Sequence, residues 1–278
     1  LFSQEFIQMK NNLRKAIMLC LLIPLVFACR KKKNKDVSPF GEGKPVCPLL
    51  ALTSETGETI RDFEYVKDNL IRIYSLEESK TTMSFKYDED NVITNMKVET
   101  ENDLESLSVD YIYDDEGRVS QTTTSVAGFP FITNTFVLSE GKITSVLTKF
   151  TAFGSEINAI TRINFKGENV NAVYSSIEGE PEKLAFRGEV YDDQPQFHPA
   201  AYKTAALGFV GLANNFFSFF GDNNLISGII YDENGAMDQK TDIVYAYANN
   251  GLPTSSETTT EINGEKNTQN ISYEFKCD

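Results

Sequence analysis

Tryptophan is missing from this chain, and His198 is its single histidine. The first absence removes the strongest flat platform for stacking a sugar ring, so such recognition would fall to tyrosine and phenylalanine. The second leaves one imidazole, set before Pro199 at a helix start, where a local structural role outweighs proton shuttling. Zinc is not expected, because its sites need clustered cysteine and histidine. No G-x-S-x-G nucleophile turn is present. Long apolar runs are also scarce. The one that stands out, AIMLCLLIPLVFA from Ala16 to Ala28, is too short to span a bilayer comfortably. Past the start, positive charge is thin. Residues 36–278 hold eighteen basic against thirty-nine acidic side chains, about −21, a field that repels nucleic acid and keeps a domain soluble.

The N-terminal region has a distinct composition. Met9-Lys10 and Arg14-Lys15 lead into the apolar run, which reads as a secretory signal starting at Met9, with LFSQEFIQ as upstream readthrough. The run stops at Val26-Phe27-Ala28-Cys29, which resembles the bacterial lipobox, where a small residue precedes a cysteine that is lipidated and becomes the new N-terminus. A lipidated Cys29 carries several acyl chains. At about 0.8 kcal/mol per buried methylene they hold a protein on a membrane without crossing it. RKKKNK follows, then Pro39, Gly41, Gly43, Pro45 and Pro48, a composition suited to a tether whose basic residues favour anionic headgroups. The expected organisation is a signal over 1–28, a lipidated cysteine and tether over 29–50, and a single β-barrel-like domain over 51–278. Cys47 and Cys277 bracket that domain. In an exported protein they either close a disulfide, if the chain ends meet, or stand as separate thiols.

From Asn69 onward the pattern alternates with period two. VITNMKVET sets Val92, Thr94, Met96 and Val98 against Asn95, Lys97 and Glu99, and ESLSVDYIYD groups Leu107, Val109, Tyr111 and Tyr113. Such alternation, rich in Thr, Val, Ile, Tyr and Phe, predicts strands with two unlike faces. Short turn-formers separate them, among them Glu89-Asp90-Asn91, Asp115-Glu116-Gly117 and Asn263-Gly264-Glu265. Aromatics recur on a beat: Tyr87, Tyr113, Phe165 and Tyr191 stand 26, 52 and 26 apart, and Tyr247 to Tyr273 is another 26. A strand of about ten residues and a turn of about three repeat every thirteen, so the beat returns the chain to one rim. The expected fold is all-β: an antiparallel meander of roughly fourteen strands forming a barrel or strongly curved sheet, because an open sheet that wide leaves exposed edges. Strands such as RVSQTTTSV lack the wholly apolar face of a membrane barrel. One stretch breaks the beat. HPAAYKTAALGFVGL predicts a short helix capping one mouth, with Phe216, Phe217, Phe219 and Phe220 packed beneath it.

Y-x-Y-D-x-x-G-R (Tyr111, Tyr113, Asp114, Gly117, Arg118), YDDQPQFHP, NNFFSFFGDNNLISG and YAYANNGLPTS together resemble the Bacteroidetes lipoprotein domain of unknown function described as porin-like. The resemblance spans most of residues 60–278. It implies a barrel fold and brings no established activity, so no functional residue carries over. The heptads YDEDNVI, YDDEGRV, YDDQPQF and YDENGAM also look like single YD repeats of Rhs-type proteins, though too few and irregular for a large shell.

The chemistry-bearing candidates are modest. Asp88, Asp90 and Asn91, or Asp232, Asn234 and Gly235, partly mimic a calcium loop but lack its downstream glutamate, so solvated hairpins are expected. Carboxylate pairs for glycoside cleavage are too numerous to single one out among 40 acidic residues. Tyr111, Tyr113, Tyr191, Tyr231 and Tyr245 lie near strand ends and are candidates to face a ligand, with buried barrel aromatics as the alternative. The resulting expectation is a lipid-anchored outer-membrane protein, facing the periplasm or the surface, that binds or scaffolds without catalytic residue, metal or cofactor. Its partners would be the membrane, through Cys29, and a glycan or an envelope protein. The alternative is a glycan-binding or glycan-hydrolysing accessory of polysaccharide uptake.

Overall fold

The computed structural model describes residues 47–66, 69–75, 80–100, 106–152, 154–197, 200–211 and 215–277. The signal, Cys29 and most of the tether lie outside them, as does His198. Sixteen strands are formed: β1 (Leu49–Ser54), β2 (Thr59–Val66), β3 (Asn69–Ser75), β4 (Thr82–Tyr87), β5 (Ile93–Glu99), β6 (Leu107–Tyr113), β7 (Val119–Val126), β8 (Phe129–Ser139), β9 (Lys142–Ala152), β10 (Ser155–Lys166), β11 (Asn169–Ile177), β12 (Lys183–Pro195), β13 (Asn223–Tyr231), β14 (Met237–Tyr247), β15 (Pro253–Ile262) and β16 (Glu265–Phe275). Each pairs antiparallel with its chain neighbours, and β1 pairs with β16, so the sheet closes into a barrel without edges. Between β12 and β13 come α1 (Ala200–Gly208) and a 3-10 helix (Asn215–Phe220).

Alternation sets which face points inward. In β10, Ile157, Ala159, Thr161, Ile163 and Phe165 face the lumen, and Glu156, Asn158, Ile160, Arg162 and Asn164 face out. Tight turns bend the chain back between strands. Ala127-Gly128, Glu140-Gly141 and Asn263-Gly264 each place two successive residues at positive φ, the geometry that matches strand twist in a two-residue hairpin. The barrel has two rims. The terminal rim carries both described chain ends and the connection 196–222; the far rim carries the hairpins at 55–58, 127–128, 232–236 and 263–264.

The strand count departs from the sequence expectation by two. Fourteen strands, β3–β16, do run from Asn69 onward; β1 and β2 precede it. Their alternation is hidden because β1 reads LLALTS beside prolines and carries register shifts on both of its pairings. The first strand also starts at Leu49, ahead of the domain boundary expected at residue 51. The helix departs more informatively. It does not sit over a mouth as a lid but is buried within the lumen, with Tyr202, Ala205, Ala206, Leu207, Phe209 and Val210 all enclosed. A lid keeps a polar face for water, whereas AAYKTAALG has none beyond Lys203 and Thr204, and Lys203 is itself only 6% exposed.

Cys47 and Cys277 are joined, with Cα atoms 4.7 Å apart and a sequence separation of 230, and Lys276 N–H donates to Pro48 O at 2.8 Å. The bridge lies across the β1–β16 seam, the one closure in the barrel that joins the two ends of the chain. A chain-entropy estimate for so long a loop gives about 5 kcal/mol. Replacing both cysteines with serine is expected to lower the urea midpoint accordingly. An unchanged midpoint would show that strand pairing alone closes the seam.

Candidate functional site

The repeated YD heptads resolve into one local device. Asp88 Oδ1 accepts the Asp90 and Val92 amides at 3.0 and 2.8 Å, Asp114 Oδ1 those of Glu116 and Arg118 at 2.9 Å each, and Asp232 Oδ1 those of Asn234 and Ala236 at 2.8 Å each. The aspartate replaces the missing turn ladder by folding over its own backbone. Hydrogen bonds from the Ala236 and Asn234 amides hold Asp232 below the ordinary carboxylate range. These carboxylates are occupied in closing hairpins, and among the described residues no three His, Cys, Asp or Glu side chains gather where they could hold a metal ion.

The tyrosines of the same heptads have a second repeated task. At the terminal rim the register slips by one residue beside Tyr65, Tyr87, Tyr113, Phe165 and Tyr247, a β-bulge at the end of each of those strands. Tyr87 Oη donates to Leu70 O at 2.9 Å, Tyr113 Oη to Ile93 O at 2.7 Å, and Tyr191 Oη to Val170 O at 2.7 Å. Each acceptor flanks an inserted residue, so the ring leans inward and its hydroxyl satisfies a carbonyl beside the bulge. Three aromatics of the 26-residue beat, Tyr87, Tyr113 and Tyr191, make this rim repair, whereas Phe165 has no hydroxyl and the Tyr247 and Tyr273 hydroxyls meet Asp192 and Ser256. Gly188 makes room for one copy: a Cβ there would stand 2.4 Å from Val170 O and 2.3 Å from Tyr191 Oη.

This placement settles what the five candidate tyrosines touch. Tyr111 is buried with its hydroxyl 3.9 Å from Met96 Sδ, and Tyr113 and Tyr191 spend theirs on the backbone. Tyr245 packs edge-on against Phe197, 5.6 Å between ring centres. Tyr231 stands at the far rim, half-buried, at the turn into β14. The five do not come together as one exposed stacking surface.

The fourth heptad differs. Asp192 ties together three strands: Oδ1 accepts the amides of Gln194 at 3.1 Å and Asn224 at 3.0 Å, and Oδ2 accepts Asn224 Nδ2 at 3.2 Å and the Tyr247 hydroxyl. This knot fixes the neck through which the chain turns into the lumen.

Inside, wall residues take the end of α1. Thr124 Oγ1 donates to Gly208 O at 2.9 Å, Asn134 Nδ2 to Val210 O at 3.1 Å, and Thr148 Oγ1 to Asn134 Oδ1 at 2.7 Å. The last carbonyls of a helix have no partner within it, and in an apolar lumen they need one from outside. Gly208 lies so close to the wall that a Cβ would meet Val109 Cγ1 at 2.7 Å. Phe217 and Phe220 are buried and pack edge-on with each other, and Phe219 does so with Tyr202; the side chain of Phe216 lies outside the described residues. The sequence reading missed Thr122, Thr124, Asn134 and Thr148 as a set. Their signal was polar residues at lumen-facing positions of otherwise apolar alternation. The arrangement is a filled barrel held by a buried polar clasp, with no reacting pair on view among the described residues.

The outer wall carries charge at mid-height. A single cross-strand row runs Asp110, Thr123, Thr133, Lys149, Asn158 over β6–β10, and Arg162 pairs with Glu182 at 2.6 Å while covering the Tyr174 ring at 4.6 Å. The next outward row sets exposed Ile112, Leu147 and Ile160 beside Gln121 and Thr135, so apolar and polar groups are mixed where a lipid-facing barrel would need a continuous apolar band.

Among solved structures, one similar to this chain is the crystal structure of a porin-like protein from Bacteroides uniformis. The identity is 13% and the TM-score 0.33, over 81% of this chain and 87% of that one. No protein-family model and no curated protein matches the chain. The barrel assignment itself comes from the strand pairing.

Two tests follow from the clasp and the plug. Asn134→Leu keeps volume but strands the Val210 carbonyl and the Thr148 hydroxyl, and is expected to cost about 1–3 kcal/mol in urea unfolding; no loss would mean the clasp is idle. Lys203 is pulled down to about 8 by burial, against a favourable pull from Asp222. Between about pH 8 and its ordinary 10.5 the unfolded chain holds that proton and the folded chain does not, so stability rises with pH. Burial pushes Tyr87, Tyr113 and Tyr245 above their ordinary 10.0, so above that pH the unfolded chain loses protons first and stability falls. Lys203→Met should abolish the rise and leave the fall, as read by urea midpoints across pH 7–11.

Proposed function

We propose that this chain is a lipid-anchored protein of the outer membrane, of the Bacteroidetes lipoprotein kind with a porin-like barrel, whose barrel binds or scaffolds without catalysing a reaction. The observation that carries the reading is the construction of the wall. Over β6–β12 its outside carries ion pairs and a polar row, with exposed Ile112, Leu147 and Ile160 scattered among polar neighbours, and α1 with the 3-10 helix lies inside. A barrel made this way neither faces lipid with its strands nor offers its lumen as a water-filled pore. Membrane attachment then falls to the acyl chains of Cys29, with Arg30–Lys35 against the headgroups. The non-enzymatic reading draws on how the carboxylates are used. Asp88, Asp114, Asp192 and Asp232 each accept backbone amides within their own turn or neck, whereas a glycosidase pairs two carboxylates across a cleft. In full-length protein expressed in a bacterium with the lipidation pathway, Cys29→Ala is expected to move the chain from the membrane pellet to the soluble fraction. Continued retention in the pellet after a high-salt wash would defeat the anchor.

A further inference from the structure

The seam that closes the barrel stops short of the far rim. β1 ends at Ser54, opposite Ile271, whereas β16 runs on to Glu265 and stays paired with β15 throughout. Residues 265–270 thus continue past the β1–β2 turn for about 20 Å of strand. Register decides which of their backbone groups are bare. Ile262 and Glu265 close the two-residue loop Asn263-Gly264 and exchange hydrogen bonds with each other, so Glu265, Asn267 and Gln269 turn their backbone toward β15. Lys266, Thr268 and Asn270 turn theirs the other way. Lys276, of the same parity, donates its N–H to Pro48 O, so that other side is the one β1 occupies lower down. Past Ser54, the N–H and C=O groups of Lys266, Thr268 and Asn270 meet no partner among the described residues.

Folded proteins guard such a row with charge, proline or a covering segment. Here the side chains along it lean elsewhere. Lys266 is drawn to Glu261 on β15 at 3.5 Å, and the Thr268 hydroxyl shares a hydrogen bond with Thr259 on the same strand at 3.1 Å. Asn270 leans to the β1–β2 turn, where it donates to Glu55 at 3.1 Å. Another hairpin that overtops its neighbour is treated differently: where β10 passes Ile177, Asn158 O takes the Glu178 amide at 2.9 Å. The surroundings of the bare flank select an occupant. Glu55 and Glu58 at its foot and Glu265 at its tip are exposed, while Lys266 is paired and Arg61 of β2 is buried. A strand laid here would continue the line of β1 and run antiparallel to β16. A second copy of this chain does not fit. Two such flanks paired antiparallel would set the two Cys47 ends on opposite sides, and paired parallel, the lower half of one β16 would collide with the other's β1.

We propose that the flank of β16 at Lys266, Thr268 and Asn270 takes an extended basic peptide segment of a partner protein as an added strand, backbone to backbone, with its lysines or arginines on Glu55, Glu58 and Glu265. The proposal rests on the binding reading above and supplies its partner class. The full chain in phosphatidylcholine nanodiscs, titrated by fluorescence anisotropy with an octapeptide alternating threonine and lysine, should bind it saturably and should ignore the threonine–glutamate counterpart. A version of the basic peptide methylated at every backbone nitrogen keeps its charge and should not bind. Thr268→Pro removes an N–H that faces the flank without touching the β15 ladder. It should weaken binding at least about fivefold at unchanged circular dichroism, while Asn267→Ala changes nothing. In the unsubstituted chain, amide exchange at Lys266, Thr268 and Asn270 should be fast and should slow when the basic peptide is added. Slow exchange there in the free chain overturns the proposal. So do silence toward the basic peptide, equal binding of its methylated or acidic counterpart, indifference to Thr268→Pro, or a dimer in light scattering that Thr268→Pro dissolves. None of these outcomes bears on whether Cys29→Ala releases the chain from membranes, so the two readings fail separately.

Discussion

The constraint behind this structure is the width of its ring. Eight strands enclose a space that their own side chains can fill; sixteen leave a lumen that they cannot. The chain meets the problem by sending α1 and the 3-10 helix inward, and the helix so placed buries nearly every side, Lys203 included. Its peptide groups, however, do not become apolar. Thr124 and Asn134 therefore appear on the inner wall where alternation would otherwise supply valine or leucine, and Thr148 orients the asparagine that holds the Val210 carbonyl. A wall residue and a plug residue more than seventy positions apart in sequence are thus bound by one requirement of backbone chemistry.

The two rims answer to different demands. At the terminal rim, strands end in bulges, tyrosine hydroxyls satisfy carbonyls beside them, aspartates fold over the turns, and Asp192 ties β12 to β13 and β14 where the chain dives in. Those groups are committed to structure, although Gln196 Oε1 and Asn224 Oδ1 at the neck are buried without a hydrogen-bond partner. At the far rim the strands of the β14–β16 sector run on past the buried layer, and their lumen-facing amides and hydroxyls are left under-used.

Much of the architecture was legible in residues. Alternation in VITNMKVET and ESLSVDYIYD, turn chemistry at Glu140-Gly141 and Asn263-Gly264, and the aromatic spacing together specify an antiparallel closed meander, because each is a local consequence of strand and turn geometry. β1 was not legible, since a run of leucines next to prolines carries no period and its pairing partner, β16, lies at the other end of the chain. The helix was visible as a helix, yet its location was not. Helical periodicity reports which side is apolar, and AAYKTAALG shows no polar face beyond Lys203 and Thr204. The candidate tyrosines illustrate the same boundary. A tyrosine near a strand end reads identically whether its hydroxyl meets a ligand or the carbonyl beside a bulge, and Tyr113 and Tyr191 do the latter. The clasp of Thr124, Asn134 and Thr148 depended on knowing what fills the lumen, which no single strand reveals.

The bridge between Cys47 and Cys277 has a mechanical consequence. Any tension applied through residue 47 enters the barrel at a covalent junction with the last strand, not at the frayed end of the first. β1 cannot be peeled away hydrogen bond by hydrogen bond, because β16 is pulled with it and the load spreads in shear across both neighbours. A ring loaded at that junction resists as a closed hoop does, and gives way when several ladders slide at once.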